Sequence, residues 1–145
     1  GTRFETTLRR LVANRSSETW NLMASSPYLA KLTTYQKTWL ESILAPRELK
    51  GPGVLAKEGV SPEQFFIIRR GEAQVSRGER SLARLHNGDF VGSFSRIRRQ
   101  EKSPYTISYP GPLSLFEVSR ADVQDFIEGN PGTEKKLAYP YELKA

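Results

Sequence analysis

The chain is organised around the stretch LHNGDFVGSFS at residues 85–95. Asn87-Gly88-Asp89 predicts a tight turn, because Asn and Gly tolerate positive φ and an Asp carboxylate bonds nearby backbone. A Gly-containing loop and a short helical turn are expected next, with Gly92 where a Cβ would obstruct the approach of a ligand or another chain segment. Four cations then follow within seven residues: Arg96, Arg98, Arg99 and Lys102. Backbone N–H groups at a helix start beside cations are a general way to hold phosphate, and the alternative is a solvated basic hairpin.

The composition is typical of one globular domain. Of its 145 residues, 37% are hydrophobic and 26% are charged. A chain of this length can build a hydrophobic core without disulfides. No apolar run approaches the roughly 18 residues that a membrane-spanning helix needs. The chain has no cysteine, which is compatible with a reducing compartment. The net charge of +6 comes from scattered basic residues, a pattern that favours solubility over nucleic-acid binding.

The N-terminal third is predicted to be helical. Apolar residues spaced by three and four over residues 3–24 indicate an amphipathic helix with a break at 14–17, after which Ser16 or Ser17 would cap a second helix. Pro27 marks a boundary and suits a first helical position. Thr33 or Thr34 is expected to cap the next helix, whose apolar residues are Tyr35, Trp39, Leu40, Ile43 and Leu44. Pro46 is expected to end it.

From Arg47 the pattern changes to short apolar runs separated by turn residues, which indicates a sandwich, roll or barrel. Residues 77–80 predict a hairpin turn between strands 73–76 and 81–85, and further strands are expected at 105–109 and 113–118. Ser119 is expected to cap a closing helix that buries Val123, Phe126 and Ile127 and stops at 129–132. A further short helix is expected at 135–138. The predicted fold class is α+β, an antiparallel jelly-roll-like β-roll with N-terminal helices and a C-terminal helix.

Four segments resemble the cyclic-nucleotide-binding domain family. They are residues 51–59 (GPGVLAKEG), 65–75 (FFIIRRGEAQV), 82–92 (LARLHNGDFVG) and 116–123 (FEVSRADV). The resemblance covers roughly residues 25–131 and implies an eight-stranded β-roll with flanking helices. It divides the chain into an N-terminal helical segment (1–24), the roll domain (25–132) and a tail (133–145). It further implies a cytoplasmic regulatory domain, or one on the cytoplasmic side of a membrane protein.

Residues 82–92 resemble the strand that leads into the family's phosphate-binding cassette, and the resemblance implies cAMP or cGMP as the ligand. Members of the family usually have Gly-Glu, whose carboxylate accepts from the ribose 2′-hydroxyl, where this chain has Gly92-Ser93. The family's phosphate-binding Arg falls on Lys102 or Ser103, and Pro104 removes an N–H from the loop. The implied ligand contacts are Val91, Gly92, Ser93, Phe94, Ser95, Lys102, Ser103 and Tyr105. Arg96, Arg98 and Arg99 either compensate for the missing Arg as anion contacts or are simply exposed on the helix.

Two functions are consistent with these departures. One is a cyclic-nucleotide sensor that regulates a neighbouring domain of the same polypeptide or a protein partner. The other is a degenerate domain that binds no nucleotide and acts as a protein-interaction or autoinhibitory module. Catalysis and a metal cofactor are not expected, because His86 is the only histidine and Ser93 and Ser95 have no evident base. Nucleic-acid binding is not expected either, since the residues after Gly132 are too few for a helix-turn-helix.

Overall fold

The computed structural model describes residues 18–26 and 29–133. The predictions for residues 1–17, for Pro27 and for the tail from 134 lie outside the described residues. The described elements are a helical segment α1 (residues 18–25), a 3-10 turn (Leu29–Lys31), α2 (Thr34–Ile43), β1 (Ala45–Leu49), β2 (Gly53–Ala56), β3 (Gln64–Arg70), β4 (Ala73–Arg77), β5 (Arg80–Leu85), β6 (Phe90–Val91), α3 (Phe94–Arg98), β7 (Thr106–Tyr109), β8 (Leu113–Ser119) and α4 (Arg120–Gly129).

The strands form the antiparallel roll that the sequence predicted. Eight strands make two four-stranded sheets, with the orders β1-β8-β3-β6 and β2-β7-β4-β5. Every pairing is antiparallel, and β3 pairs along most of its length with β8. The expected α+β class, with helices before and after the roll, is confirmed.

Strand β3 connects the two parts of the core. Because side chains alternate across a strand, Phe65 and Ile67 face one side of the sheet and Phe66 and Ile68 face the other. The first pair packs with the helices, and the second pair packs inside the roll between the sheets. All four residues are buried, which explains a continuous apolar run in place of an alternating one. The strand therefore fixes the helices against the roll.

Local signals set the helix ends. Thr33 caps α2 through a capping box, in which its hydroxyl accepts from the Gln36 N–H at 3.1 Å and the Gln36 side chain accepts from the Thr33 N–H at 3.0 Å. Ser119 caps α4 by accepting from the Asp122 N–H at 3.2 Å. One boundary differs from the prediction, because α2 ends at Ile43 and Pro46 lies inside β1. A proline is tolerated there because β1 is an edge strand, where one N–H can be spared from the ladder.

We expect Gly129→Ala to destabilise the domain by about 1–3 kcal/mol, the usual cost of overpacking. Helices α2 and α4 meet where the Trp39 ring lies against the Gly129 backbone, and a Cβ on Gly129 would come within 2.6 Å of Trp39 Cζ3. Trp39 also packs edge-on against Phe126 with ring centroids 5.9 Å apart, so a shift of its ring away from Gly129 would disturb that contact. Urea denaturation measures the change. Gly51→Ala is the matched control, because no atom lies within 4 Å of a Cβ there and little change is expected. Equal stability of the two variants would contradict the prediction.

Within the described part of the chain, no helix is long and apolar enough to cross a membrane.

Candidate functional site

The turn before β6 forms as its residue types predict. Gly88 has a φ of +88°, and the Asp89 carboxylate accepts from the His86 N–H at 2.7 Å. Two backbone bonds tie this turn to β3: the Gly88 N–H donates to the Ile68 carbonyl at 2.7 Å, and the Ile68 N–H donates to the Asp89 carbonyl at 3.0 Å. The turn before β6 is therefore held against the interior strand β3.

Gly92 follows β6 with a φ of +102°, a conformation that side-chain-bearing residues rarely adopt. The expected obstruction by a neighbouring chain segment is wrong. A Cβ there would lie 3.6 Å from Ile97 Cδ1 and 3.9 Å from Phe65 Cδ2, which are ordinary contacts. Glycine is favoured at this position because the backbone has a positive φ where the chain turns from β6 toward α3.

Helix α3 has five residues, and two of them are buried in the hydrophobic core. Ser93 lies at its N-cap position in an extended conformation without a side-chain capping bond, and the Ser93 carbonyl accepts from the Ile97 N–H at 3.1 Å. Phe94 and Ile97 are fully buried. Phe94 packs edge-on against Phe65 with ring centroids 4.6 Å apart. The polar side of α3 carries Ser95 and the arginines.

A pocket lies between the cassette and the strands of the second sheet. Its empty volume is about 340 Å³ counted out to its mouth, and its narrow interior has room for about one water molecule. The enclosed interior is therefore far smaller than the roughly 300–1,000 Å³ that small-molecule sites occupy, and a ligand would have to widen the pocket or extend out of its mouth. The lining residues are Ala56, Pro62, Gln64, Val91, Gly92, Ser93, Arg96, Ser103, Pro104, Tyr105 and Ile107.

The residues proposed from the sequence fall into two groups. Those that line the pocket are Val91, Gly92, Ser93, Arg96, Ser103 and Tyr105. Those that are not part of the lining are Phe94 in the core, Ser95 and Arg98 on α3, Arg99 at its C-cap, and Lys102 on the exposed loop. The structure thus brings six of the eleven expected residues together on the pocket lining, and Arg96 is the one cation among them.

Among the described residues, Arg96 is the one residue with a charged side chain that contributes to the pocket lining, which is almost entirely apolar, and no Asp or Glu contributes to it. The side chain of Arg96 is 30% exposed, and its Nη1 is 3.4 Å from Glu101 Oε2. A guanidinium has several N–H groups that can donate to an anion. Arg99 is more exposed and pairs with the other oxygen of Glu101 at 3.9 Å.

Ser103 is held by the chain around it. Its N–H donates to the Val60 carbonyl at 2.9 Å, and its carbonyl accepts from the Gly59 N–H at 2.8 Å. Its hydroxyl donates to the Tyr105 carbonyl at 2.7 Å and accepts from the Tyr105 N–H at 3.3 Å. The serine therefore fixes the loop that closes one side of the pocket, and its hydroxyl already has partners.

Several lining residues were missed by sequence reasoning because they come from distant strands. Ala56 ends β2, Gln64 begins β3 and Ile107 lies in β7. Arg77 was also missed: its guanidinium carbon lies 5.0 Å from the Tyr105 ring centre, and its Nε donates to the Pro104 carbonyl at 3.3 Å. No local sequence signal identifies these residues, because their proximity depends on how the strands pair.

The sequence profile of the cyclic nucleotide-binding domain matches residues 46–130, which is more than half of the chain. The chain belongs to the cyclic nucleotide-binding domain family. The match runs from β1 to the end of α4 and includes every residue of the pocket lining. The expected family and β-roll are thereby confirmed, and the chain is a regulatory domain of the cyclic nucleotide-binding type.

The relatives are longer proteins. A cGMP-dependent protein kinase of Toxoplasma gondii is 28% identical over 100 residues, which cover 69% of this chain and 10% of the kinase. A cAMP-dependent protein kinase regulatory subunit of Hypocrea atroviridis is 24% identical over 88 residues, 61% of this chain and 19% of the subunit. A cyclic nucleotide-gated potassium channel of Rhizobium etli is 26% identical over 112 residues, 77% of this chain and 31% of the channel. The chain therefore spans less than a third of the length of each of these relatives.

Proposed function

We propose that this domain binds a cyclic nucleotide, with Arg96 as the partner of the phosphate, and regulates the neighbouring part of a larger protein. The observation that carries the proposal is the position of Arg96, a charged side chain on the lining of a mostly apolar pocket beside the cassette. A guanidinium can pair bidentately with a phosphate, which Lys102 as a point charge cannot do. The names of the relatives, which include cGMP- and cAMP-dependent kinase proteins, support a cyclic nucleotide as the ligand class.

The contacts of α1 support a coupling between ligand binding in the pocket and the position of this N-terminal helix. A Cβ on Gly88 would lie 3.6 Å from Ser25 Oγ and 3.8 Å from the Leu22 carbonyl, so the turn before β6 packs on the end of α1. Arg69 of β3 adds an ion pair to Glu18 at 2.6 Å. A ligand that displaces the cassette would change these contacts, which is how binding at one site biases another.

The test is a thermal-shift titration of the 145-residue chain with cAMP and with cGMP up to millimolar concentration. A ligand at ten times its Kd stabilises the folded state by about 1.4 kcal/mol, which raises Tm by about 3–6 °C in a domain of this size. Adenosine is the control: it has the base and the ribose but no phosphate, so a much smaller rise is expected. An equal rise with adenosine would contradict a phosphate contact at Arg96.

The second candidate is a protein-interaction module that binds no nucleotide. Two observations favour it: the Ser103 hydroxyl is engaged by the Tyr105 backbone, and the interior of the pocket is narrow. The same titration decides between the candidates. An unchanged Tm with both cyclic nucleotides at millimolar concentration would support the interaction module.

A further inference from the structure

The end of α3 brings an acidic side chain back onto the helix. Gln100 has a left-handed φ of 57°, which reverses the chain direction. The Glu101 N–H then donates to the Arg96 carbonyl at 2.9 Å, and the Gln100 N–H donates to the Ile97 carbonyl at 3.2 Å. This arrangement resembles the usual closure of a helix C-terminus by a left-handed residue. It places Glu101 beside Arg96, which is five positions earlier in the chain.

The Glu101 carboxylate lies between two arginines. Its Oε2 is 3.4 Å from Arg96 Nη1, and its Oε1 is 3.9 Å from Arg99 Nη1. Arg96 is the arginine on the pocket lining, and the Glu101 side chain is 43% exposed, so the pair lies where solvent and a ligand can reach it. The carboxylate thus holds the guanidinium that the phosphate of a ligand would use.

We propose that Glu101 is an intramolecular competitor for the anion site at Arg96 and thereby sets the affinity of the pocket; this inference rests on the proposed function. A phosphate at Arg96 has to share the guanidinium with the Glu101 carboxylate or displace it. The ligand phosphate and the Glu101 carboxylate would also repel each other, because both are negatively charged and both would lie beside Arg96. Arg99 provides a second partner to which the displaced carboxylate can turn.

The experiment compares cAMP binding to the wild type, Glu101→Gln and Glu128→Gln by calorimetric titration. Glutamine keeps the size of the side chain and removes its charge, so Kd in Glu101→Gln is expected to fall by about two- to fivefold, the range for a partly exposed ion pair. Glu128 is exposed on α4 and does not line the pocket, so Glu128→Gln makes the same change in net charge and should leave Kd unchanged. Glu101→Ala is a second variant, and both should fold normally because the helix closure uses the backbone of residue 101.

The outcomes of the titrations distinguish a failure of this inference from a failure of the proposed function. The inference is supported if Glu101→Gln binds cAMP more tightly than the wild type and Glu128→Gln do. It is also supported if Glu101→Gln binds cAMP measurably and the other two proteins do not. Equal Kd values in the wild type and Glu101→Gln overturn the inference and leave the proposed function standing. Equal tightening in Glu101→Gln and Glu128→Gln also overturns it, because net charge then explains the gain. Absence of binding in all variants overturns both.

Discussion

Phe94→Ala is expected to lower the free energy of unfolding by about 3–5 kcal/mol, the usual cost of truncating a buried phenylalanine. The Phe94 ring is fully buried, with ring centroids 4.6 Å from Phe65 and 5.6 Å from Phe126, both edge-on. These three rings join α3 to β3 and to α4. Truncation leaves a cavity that rigid strands and helices on both sides cannot close. Urea denaturation followed by far-UV circular dichroism measures the loss.

Phe94→Leu is the matched control, because it keeps most of the apolar volume and is expected to cost less than half as much. A loss below about 1 kcal/mol in Phe94→Ala would contradict the role of Phe94 as a core anchor. The sequence proposed Phe94 as a ligand contact, and its position in the core predicts that any effect on binding follows from the loss of packing.

Arg96→Gln is expected to weaken cAMP binding about tenfold. Hydrogen bonds to charged groups contribute about 1.5–3 kcal/mol, and the lower value applies because the Arg96 side chain is 30% exposed and therefore partly solvated. Glutamine keeps a polar side chain but cannot pair with a phosphate as a cation. Calorimetric titration gives the ratio of the Kd values, and raising the salt concentration should reduce the difference between wild type and variant.

Arg80→Gln is the matched control for charge. It removes one positive charge from an exposed position of β5 that does not line the pocket and is not paired with Glu101, so less than a twofold change in Kd is expected. Arg96→Lys adds a second comparison, because lysine retains the charge and loses the fork geometry. Equal losses in Arg96→Gln and Arg80→Gln would show that the loss follows from net charge alone, which would contradict a direct contact at Arg96.

Local features of the fold were predictable from the sequence because neighbouring residues decide them. Asn87-Gly88-Asp89 forms the expected turn, and the hairpin at residues 77–80 connects β4 and β5 with Gly78 at positive φ. Thr33 and Ser119 cap the expected helices. Each of these interactions involves residues no more than a few positions apart, so the pattern of residue types is sufficient to predict them.

Features that depend on strand pairing were not predictable in the same way. Pro46 looked like a helix stop but lies in an edge strand, because β1 pairs with β8 on one side only. Gln64 and Ile107 reach the pocket because β3 and β7 belong to facing sheets. Such contacts join residues that are tens of positions apart, and no local pattern records them.

The sequence alone determined the α+β class and the order of helices and strands, because turn residues, caps and hydrophobic periodicity act over short distances. The family was identified from the resemblance of four segments, and the position of the cassette with its cluster of cations stays a prediction from that resemblance. Only the tertiary structure distinguished Arg96 from Arg98 and Arg99 and placed Glu101 beside it. Successive residues of a helix point about 100° apart, so the direction in which α3 packs decides which arginine faces the pocket. That direction is set by Phe94 and Ile97 in a core that distant segments of the chain build together.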